Sequence, residues 1–230
     1  MSENKITTYF FYGLGEIVLV VVGILIAVSI DGWSKEQDRK KKEQLYLTDI
    51  KSDLEKNLAD LQKEVADNNR LLLFIDTILY YNKSKGYLDK TDQELVGLMM
   101  EMGNYNVFSN YKSTFEEIIS SGSLNTISNL EIRRSIVQWD ASIISIDEWE
   151  QFTKNNFEVF FDGLSEKISF YAEPITVSDN TWNEIFSNRT LMNAVWERRF
   201  VIYNLNSIYE VKQEEIEGLL SLINEEIESK

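Results

Sequence analysis

The sequence predicts an all-α protein in which an N-terminal transmembrane helix continues into a long helix, with an antiparallel helical bundle completing the domain. Three observations support this class. A long apolar run near the start contains one charged side chain, that of Glu16. Two later segments, 47–79 and 191–223, place apolar residues at alternating steps of three and four, the spacing of a helical face. No stretch shows the alternation with a period of two that is typical of strands.

The apolar run extends from Thr7 to Ile30, and its centre, residues 17–28, is apolar throughout. A hydrocarbon core of ~30 Å needs about 20 apolar residues in a helix, so the run is long enough to cross a bilayer once. A cleaved signal peptide is disfavoured, because the start is nearly neutral and no small-x-small site follows the run. We therefore expect an uncleaved anchor over residues 1–33 and a helical bundle domain over residues 34–230.

Aromatic and basic residues flank the run as they do at membrane interfaces. Tyr9 and Tyr12 precede it and Trp33 follows it, which predicts an aromatic anchor at each surface of the bilayer. A basic group comes next, and its members are Lys35, Arg39, Lys40, Lys41 and Lys42. These residues either contact lipid headgroups or act only as a topology signal. Because the amino-terminal flank offers only Lys5 and the α-amine, the positive-inside rule favours a cytoplasmic bundle domain.

One face of the predicted span carries its small residues and its acid. We call this face the span stripe, and it comprises Gly13, Glu16, Val20, Gly23 and Ala27. Small residues let helices approach closely in lipid, and a carboxyl on the same face avoids hydrocarbon, so the stripe predicts a homo-oligomer. Glu16 is then a hydrogen-bonding link between helices, the lining of a cation or proton path, or the partner of a basic residue in another membrane protein.

The rest of the chain is predicted to form long helices joined by short ones. No Gly or Pro interrupts residues 33–85, and the expected buried stripe there is Leu47, Ile50, Leu54, Leu58, Leu61, Val65, Asn68, Leu72, Ile75 and Leu79. On the last helix the expected stripe is Leu191, Val195, Arg198, Ile202, Leu205, Tyr209, Lys212, Ile216, Leu219 and Ile223. Between them we expect short helices near 92–103 and 113–121, a long helix near 129–169, and a break around Pro174.

Local signals predict the helix starts and the path of the chain. Four residues have Glu three positions later, which predicts capping boxes at Thr91, Ser113, Ser128 and Thr181. Connection lengths suggest that residues 92–121 form the tip far from the membrane and that the long helix returns towards the bilayer. The last helix would then run outward and leave Lys230 far from the membrane.

Composition excludes several kinds of chemistry. The net charge is −15, from 38 acids and 23 bases, and such a surface repels nucleic acid. The chain has no cysteine and no histidine, which removes thiol chemistry and disulfides together with the commonest general base and transition-metal ligand. We therefore expect no enzyme activity, no metal site and no cofactor.

Two segments resemble a bacterial family of uncharacterised single-span proteins. The first is residues 15–33, which read Gly-Glu-Ile-Val-Leu-Val-Val-Val-Gly-Ile-Leu-Ile-Ala and end in Ile-Asp-Gly-Trp; the second is residues 113–127, with Ser-Ser-Gly-Ser-Leu near its end. The resemblance implies a membrane anchor plus a helical domain in the bacterial inner membrane, and it implies no known activity. Members with a longer basic amino terminus would place the domain outside, so a periplasmic domain stays open beside the cytoplasmic one.

These observations favour a non-enzymatic membrane protein that self-associates through its span and acts as a scaffold or interaction module. Its expected partners are the lipid bilayer, further copies of the chain and another membrane protein. A homo-oligomeric cation or proton channel lined by Glu16 is one alternative. A membrane sensor or adaptor, with a ligand pocket between the helices, is another.

Overall fold

The computed structural model describes residues 3–104, 107–170, 175, 177 and 180–229, and the side chains of these residues other than 3–12 and 140–142. The helices in these ranges are α1 (Glu3–Ser84), α2 (Asp92–Glu101), α3 (Ser113–Ser120), α4 (Leu130–Ser142), α5 (Ile144–Ser165), α6 (Thr181–Ser187) and α7 (Arg189–Glu228). Short 3-10 turns occupy Gly86–Asp89 and Ser123–Thr126. No strand occurs in the described ranges, and the predicted all-α class is confirmed.

α1 is one uninterrupted helix of 82 residues. At 1.5 Å per residue it is about 120 Å long. It ends where Lys85 takes a left-handed conformation with φ of 57°, immediately before Gly86. The predicted continuity from the apolar run into the bundle is therefore confirmed. The division of the chain at residue 33 remains a prediction, because the helix passes through that point without a break.

α1 and α7 form the antiparallel pair at the centre of the bundle. Asn206 Nδ2 donates to Asn69 Oδ1 at 3.0 Å, and Arg199 Nε lies 2.6 Å from Asp76 Oδ1, so the numbers rise on one helix as they fall on the other. The stripe predicted on α7 is confirmed, since every member is buried: Leu191, Val195, Arg198, Ile202, Leu205, Tyr209, Lys212, Ile216, Leu219 and Ile223.

The stripe predicted on α1 is correct at its start. Further along the helix, several buried positions lie one residue before the predicted ones. Asn57 and Glu64 are buried, whereas their predicted neighbours Leu58 and Val65 are only half-buried. The same displacement recurs near the top of the helix, where the buried residues are Leu71, Ile75 and Ile78. The spacing of three and four is kept, but polar side chains take two positions on the buried face: Asn57 binds the backbone of Tyr111, and Glu64 pairs with Lys63 at 3.0 Å.

A layer of asparagines separates the lower and upper parts of the core. Asn68 Nδ2 donates to Asn206 Oδ1 at 2.9 Å, and Asn206 in turn donates to Asn69. Below this layer the core includes Leu47, Leu54, Phe115, Trp139 and Tyr209, and above it the core includes Ile75, Met99, Phe160, Ile185 and Val195. A polar layer in an apolar seam fixes the register of the packed helices, because a shifted register would leave the amides unpaired.

The single long helix predicted near 129–169 is wrong in detail. The structure has α4 and α5 instead, separated at Ile143, and α5 ends at Ser165. Ile143 keeps helical dihedral angles of −66° and −29°, so the interruption is one residue long. α5 packs antiparallel on α7, with Asn156 Nδ2 donating to the Ala194 carbonyl at 3.1 Å.

The predicted path of the chain is also wrong, because residues 107–112 return along α1 towards the base without forming a helix. Ser109 N–H donates to Asp60 Oδ2 at 2.7 Å, and Thr114 N–H donates to Asp53 Oδ2 at 3.2 Å. α3 therefore lies beside the lower part of α1, and of the two short helices expected at the far tip only α2 lies there, next to α6. α4 and α5 then run outward and α7 runs inward, which brings Glu226 to hydrogen-bond distance of Asn129 at the base, 2.8 Å.

One of the four predicted capping boxes is confirmed. Thr91 and Glu94 exchange both bonds at the start of α2. The boxes at Ser113, Ser128 and Thr181 are wrong, since the capping positions are Lys112, Asn129 and Asn180. At the first two sites the serine hydroxyl donates to a buried carboxylate of α1 instead, that of Asp53 or Glu43.

Candidate functional site

The amino-terminal part of α1 is uncovered by the rest of the chain. Every described side chain from residue 13 to residue 36 is exposed, with Leu19 at 74% and Ile17 at 62%. By length and composition this part of the helix could cross a membrane. An apolar surface of this extent is unusual on a protein surrounded by water and indicates contact with lipid or with another protein.

The span stripe lies on one face of this uncovered helix. A Cβ atom built on Gly13 or Gly23 meets nothing within 4 Å, so nothing else in the described structure packs on these glycines. Gly13 and Ala27 are about 21 Å apart along the helix axis. The structure thus places all five stripe residues together on an open face, and their role stays a prediction.

The aromatic anchors have a spacing that suits a bilayer. Trp33 is 67% exposed at the carboxyl end of the apolar run. The backbone of Tyr12 belongs to the same helix, and 21 residues at 1.5 Å place it about 31 Å from Trp33, which matches a hydrocarbon core of ~30 Å. The side chains of Tyr9 and Tyr12 lie outside the described part of the structure.

The predicted basic group divides into residues that bind the bundle and residues that face outward. Arg39 donates to both carboxylate oxygens of Glu36, at 2.7 and 2.9 Å, and to the Thr126 carbonyl at 3.1 Å. The hydrogen bond from Arg39 lowers the pKa of the Glu36 carboxyl. Lys42 Nζ lies 3.5 Å from Ser123 Oγ. Both basic residues therefore attach the turn at Ser123–Thr126 to α1.

The other three members of the basic group are exposed. Lys35 pairs with Asp31 at 2.8 Å on the helix surface, and an exposed pair of this kind contributes little to stability. Lys40 and Lys41 are exposed side chains. They lie about 10–12 Å beyond Trp33 along the helix and Lys35 lies about 3 Å beyond it, so all three are close enough for a headgroup contact.

Buried carboxylates of α1 attach the base of the bundle, and sequence reasoning missed them. Glu43 is fully buried, and its Oε1 accepts a hydrogen bond from Ser128 Oγ at 2.6 Å and another from Ser128 N–H. Its Oε2 lies 3.7 Å from Arg39 Nη1. These contacts tie the start of α4 to the part of α1 that emerges from the apolar run. The signal available in the sequence was the position of Glu43 one heptad before Ile50 on the buried face.

Further up α1, polar side chains hold residues 107–114, a segment we call the strap. The fully buried Asn57 accepts from Tyr111 N–H at 2.6 Å and donates to the Tyr111 carbonyl at 2.8 Å. Asp53 and Asp60 accept from other backbone N–H groups of the strap, as described above. Side chains here satisfy backbone groups of a largely non-helical segment that would otherwise be left without partners.

A carboxylate of α5 completes the attachment of the strap in the middle of the bundle. Glu150 Oε1 accepts from Phe108 N–H at 2.9 Å and from the Tyr209 hydroxyl at 2.6 Å. Burial raises the pKa of Glu150, although both hydrogen bonds act in the opposite direction. Burial also raises the pKa of the nearby Glu64, which Lys63 partly offsets. Burial thus acts against the charged form of both carboxyl groups.

Arg198 is the largest fully buried side chain of the described structure. Its guanidinium donates to the Thr153 carbonyl at 3.1 Å and to the Asn104 carbonyl at 2.8 Å. Burial lowers its pKa to about 10. The side chain joins α7 to α5 and to the residues that precede the strap, which explains why an arginine stands in a largely apolar stripe.

The fold and this site define an all-α chain whose bundle is built on one long helix with an uncovered, apolar amino-terminal part. Residues 16–143 match the model of a family described as a family of unknown function (DUF6090). The match covers more than half of the chain, and the chain belongs to this family. The matched range includes most of the span stripe, the strap and α4, and it ends at the interruption before α5. No curated protein and no solved structure matches the chain.

Proposed function

We propose that the chain is a single-span membrane protein without catalytic activity, which self-associates through the span stripe and uses its bundle as a scaffold or interaction module. The observation that carries this proposal is the uncovered apolar part of α1. The other long helix of the chain, α7, buries its apolar stripe inside the bundle. A bilayer would cover most of this surface, and a neighbouring helix would cover the glycines and Glu16.

The direction of the span stripe supports association between copies. Successive residues of an α-helix are about 100° apart around the axis. With that value, the mean direction of the span stripe lies about half a turn from the buried face formed by Glu43, Leu47 and Ile50. Two copies could therefore bring their stripes together while their bundles point away from each other.

Beyond the span, the same side of α1 carries charged side chains that are exposed to solvent. Asp38, Lys41, Asp49 and Lys56 follow the direction of the stripe, and all four are exposed. In parallel helices each of these residues would face its own copy, and like charges repel. These charges disfavour a contact between two α1 helices over residues 38–56 and favour one within the span.

Copy number in lipid nanodiscs tests the proposal. The wild-type chain should assemble, and Gly23→Leu should shift it to single copies because the larger side chain separates the helices. Gly15→Leu is the matched control, since Gly15 lies more than a quarter turn from the stripe and its Cβ position is equally open within the chain. A wild-type chain found only as single copies would reject self-association.

A cation or proton path is the second candidate, favoured by the only carboxylate in the apolar run. In a ring of copies, Glu16 would face the axis together with the stripe glycines. Proteoliposomes loaded with a pH-sensitive dye would report proton or cation flux. Equal flux through the wild type and Glu16→Gln would reject this role and leave Glu16 as a packing residue.

A sensor or adaptor is the third candidate, favoured by a cleft of about 660 Å³ between α4 and α7. Trp139 and Leu219 contribute apolar walls, Glu214 contributes a carboxylate, and Gly218 leaves open space. A bound organic cation should raise the melting temperature of the wild type and not of Gly218→Trp. The absence of any such shift across a set of aromatic amines would count against this role.

A further inference from the structure

An exposed aromatic surface lies on the half of the bundle far from the apolar run. We call it the distal patch, and it comprises Leu73, Tyr80, Trp196, Phe200 and Tyr203, with exposed fractions of 68, 64, 59, 49 and 63%. The antiparallel pairing of α1 and α7 places Leu73 at the level of Tyr203 and Tyr80 at the level of Trp196. The Arg199–Asp76 ion pair joins the two helices between these levels, so the five exposed side chains lie around it.

The size and stiffness of the distal patch suit a protein contact. Five large side chains that are half to two-thirds exposed present on the order of 500 Å² of apolar surface. A standard interface buries ~800 Å² on each partner, so the patch can supply most of one side. The rings of Trp196 and Phe200 are already stacked, with centroids 5.9 Å apart and planes 11° apart, so they lose little freedom on binding.

Charge favours a second copy as the occupant. The chain carries a net charge of −15, so most of its surface repels another copy. Inside the patch, Arg199 and Asp76 neutralise each other at 2.6 Å. The distal patch is thus an apolar area with balanced charge where two acidic chains can approach.

Tethering favours the same occupant. The patch lies about 60–70 Å beyond Trp33 along α1. Every copy anchored by the same helix holds its patch at the same height above the membrane, so a two-fold axis normal to the bilayer brings like residues together. Tethering also raises the effective concentration, which offsets an area about one third below that of a standard interface.

We propose that the distal patch is a contact between two copies of this chain, with each patch packed on its counterpart. This contact goes beyond the association of the spans, because it uses a different surface of α7 and α1. Each of the two contacts can exist without the other, and they are measured separately.

The experiment uses the full chain in proteoliposomes and single introduced cysteines, because the native chain has none. Ser207 is exposed one turn beyond Tyr203, and Ser207→Cys should form a disulfide-linked dimer under mild oxidation. Adding Trp196→Glu should reduce that linked fraction at least about tenfold, since roughly 100 Å² of indole burial is lost. Adding Phe152→Glu instead, which changes an exposed aromatic of α5, should leave it unchanged.

A parallel variant, Ala27→Cys, reports association of the spans. A Ser207 linkage that depends on Trp196 supports the distal contact whether or not the Ala27 linkage forms. A Ser207 linkage that is absent, or that survives Trp196→Glu, overturns it even if the spans are linked. Circular dichroism of each variant confirms that the fold is kept, as expected for exposed positions.

Discussion

Removing the amide of Asn57 is expected to detach the strap from α1. Asn57 is fully buried and makes two hydrogen bonds with the backbone of Tyr111, at 2.6 and 2.8 Å. Asn57→Ala removes both bonds and leaves one N–H and one carbonyl of the strap without their partners. Because Asp53 and Asp60 bind the strap on either side, it cannot move freely to recover these bonds elsewhere.

The magnitude follows from the two bonds. A lost hydrogen bond that leaves a partly buried group unpaired costs ~1–2 kcal/mol, so Asn57→Ala should lower the free energy of unfolding by about 2–4 kcal/mol. Asn155→Ala is the matched control, because Asn155 is an exposed helical residue of α5. Both substitutions replace Asn by Ala in a helix and gain the same helix propensity. The difference between their free energies of unfolding therefore reports the hydrogen bonds of Asn57 to the strap.

Urea unfolding of the full chain in detergent, followed by circular dichroism at 222 nm, measures that difference. Hydrogen exchange provides a local readout, and the amides of residues 107–114 should exchange faster in Asn57→Ala only. A difference between the two variants below ~0.5 kcal/mol, with unchanged exchange in the strap, would refute the reasoning.

Three further predictions concern pH, backbone conformation and topology. Burial raises the pKa of Glu150, so this carboxyl holds its proton more tightly in the folded chain than in the unfolded chain. The free energy of unfolding should therefore fall as the pH rises from the ordinary carboxyl pKa of ~4.3 through the raised value. Thermal denaturation at a series of pH values measures this fall, and Glu150→Gln should flatten it. Gly122→Ala should lower the free energy of unfolding by ~1 kcal/mol because φ is 68° there, whereas Gly97→Ala, in an open position of α2, should raise it by ~0.5–1 kcal/mol, both measured by urea unfolding. A cytoplasmic bundle requires that Ser229→Cys in intact cells resist a membrane-impermeant maleimide, and rapid labelling would place the domain outside.

The last helix shows how much a regular pattern predicts. Its buried face follows the alternation of three and four from Leu191 to Ile223 without exception, and even Arg198 and Lys212 fall on it. The buried face of a long helix that packs on one side is predictable, because its periodicity is set by helix geometry alone. The confirmed box at Thr91 and Glu94 belongs to the same class of local signal.

The path of the chain was not predictable in this way, because it depends on long-range side-chain contacts. The strap has no periodicity, and its place beside α1 is decided by Asn57, Asp53 and Asp60, more than 45 residues earlier in the chain. The same contacts explain the displaced stripe on α1. A search for apolar positions selects Leu58, whereas the buried position belongs to its polar neighbour.

The span stripe and Trp33 were identified from composition and spacing. The structure leaves them uncovered, and their role stays a prediction. The division of the basic group was not predictable, because Arg39 and Lys42 differ from Lys40 and Lys41 only in facing the turn at Ser123–Thr126.

A cysteine scan through the apolar run, in the native membrane, tests the central claim most directly. Single cysteines at each position from 13 to 30 would be oxidised and the linked dimer quantified, in a chain with no other cysteine. Association through the span stripe predicts maxima at Gly13, Val20, Gly23 and Ala27 and minima between them, with a period of ~3.5 residues. A flat profile, or maxima half a turn away, would contradict it.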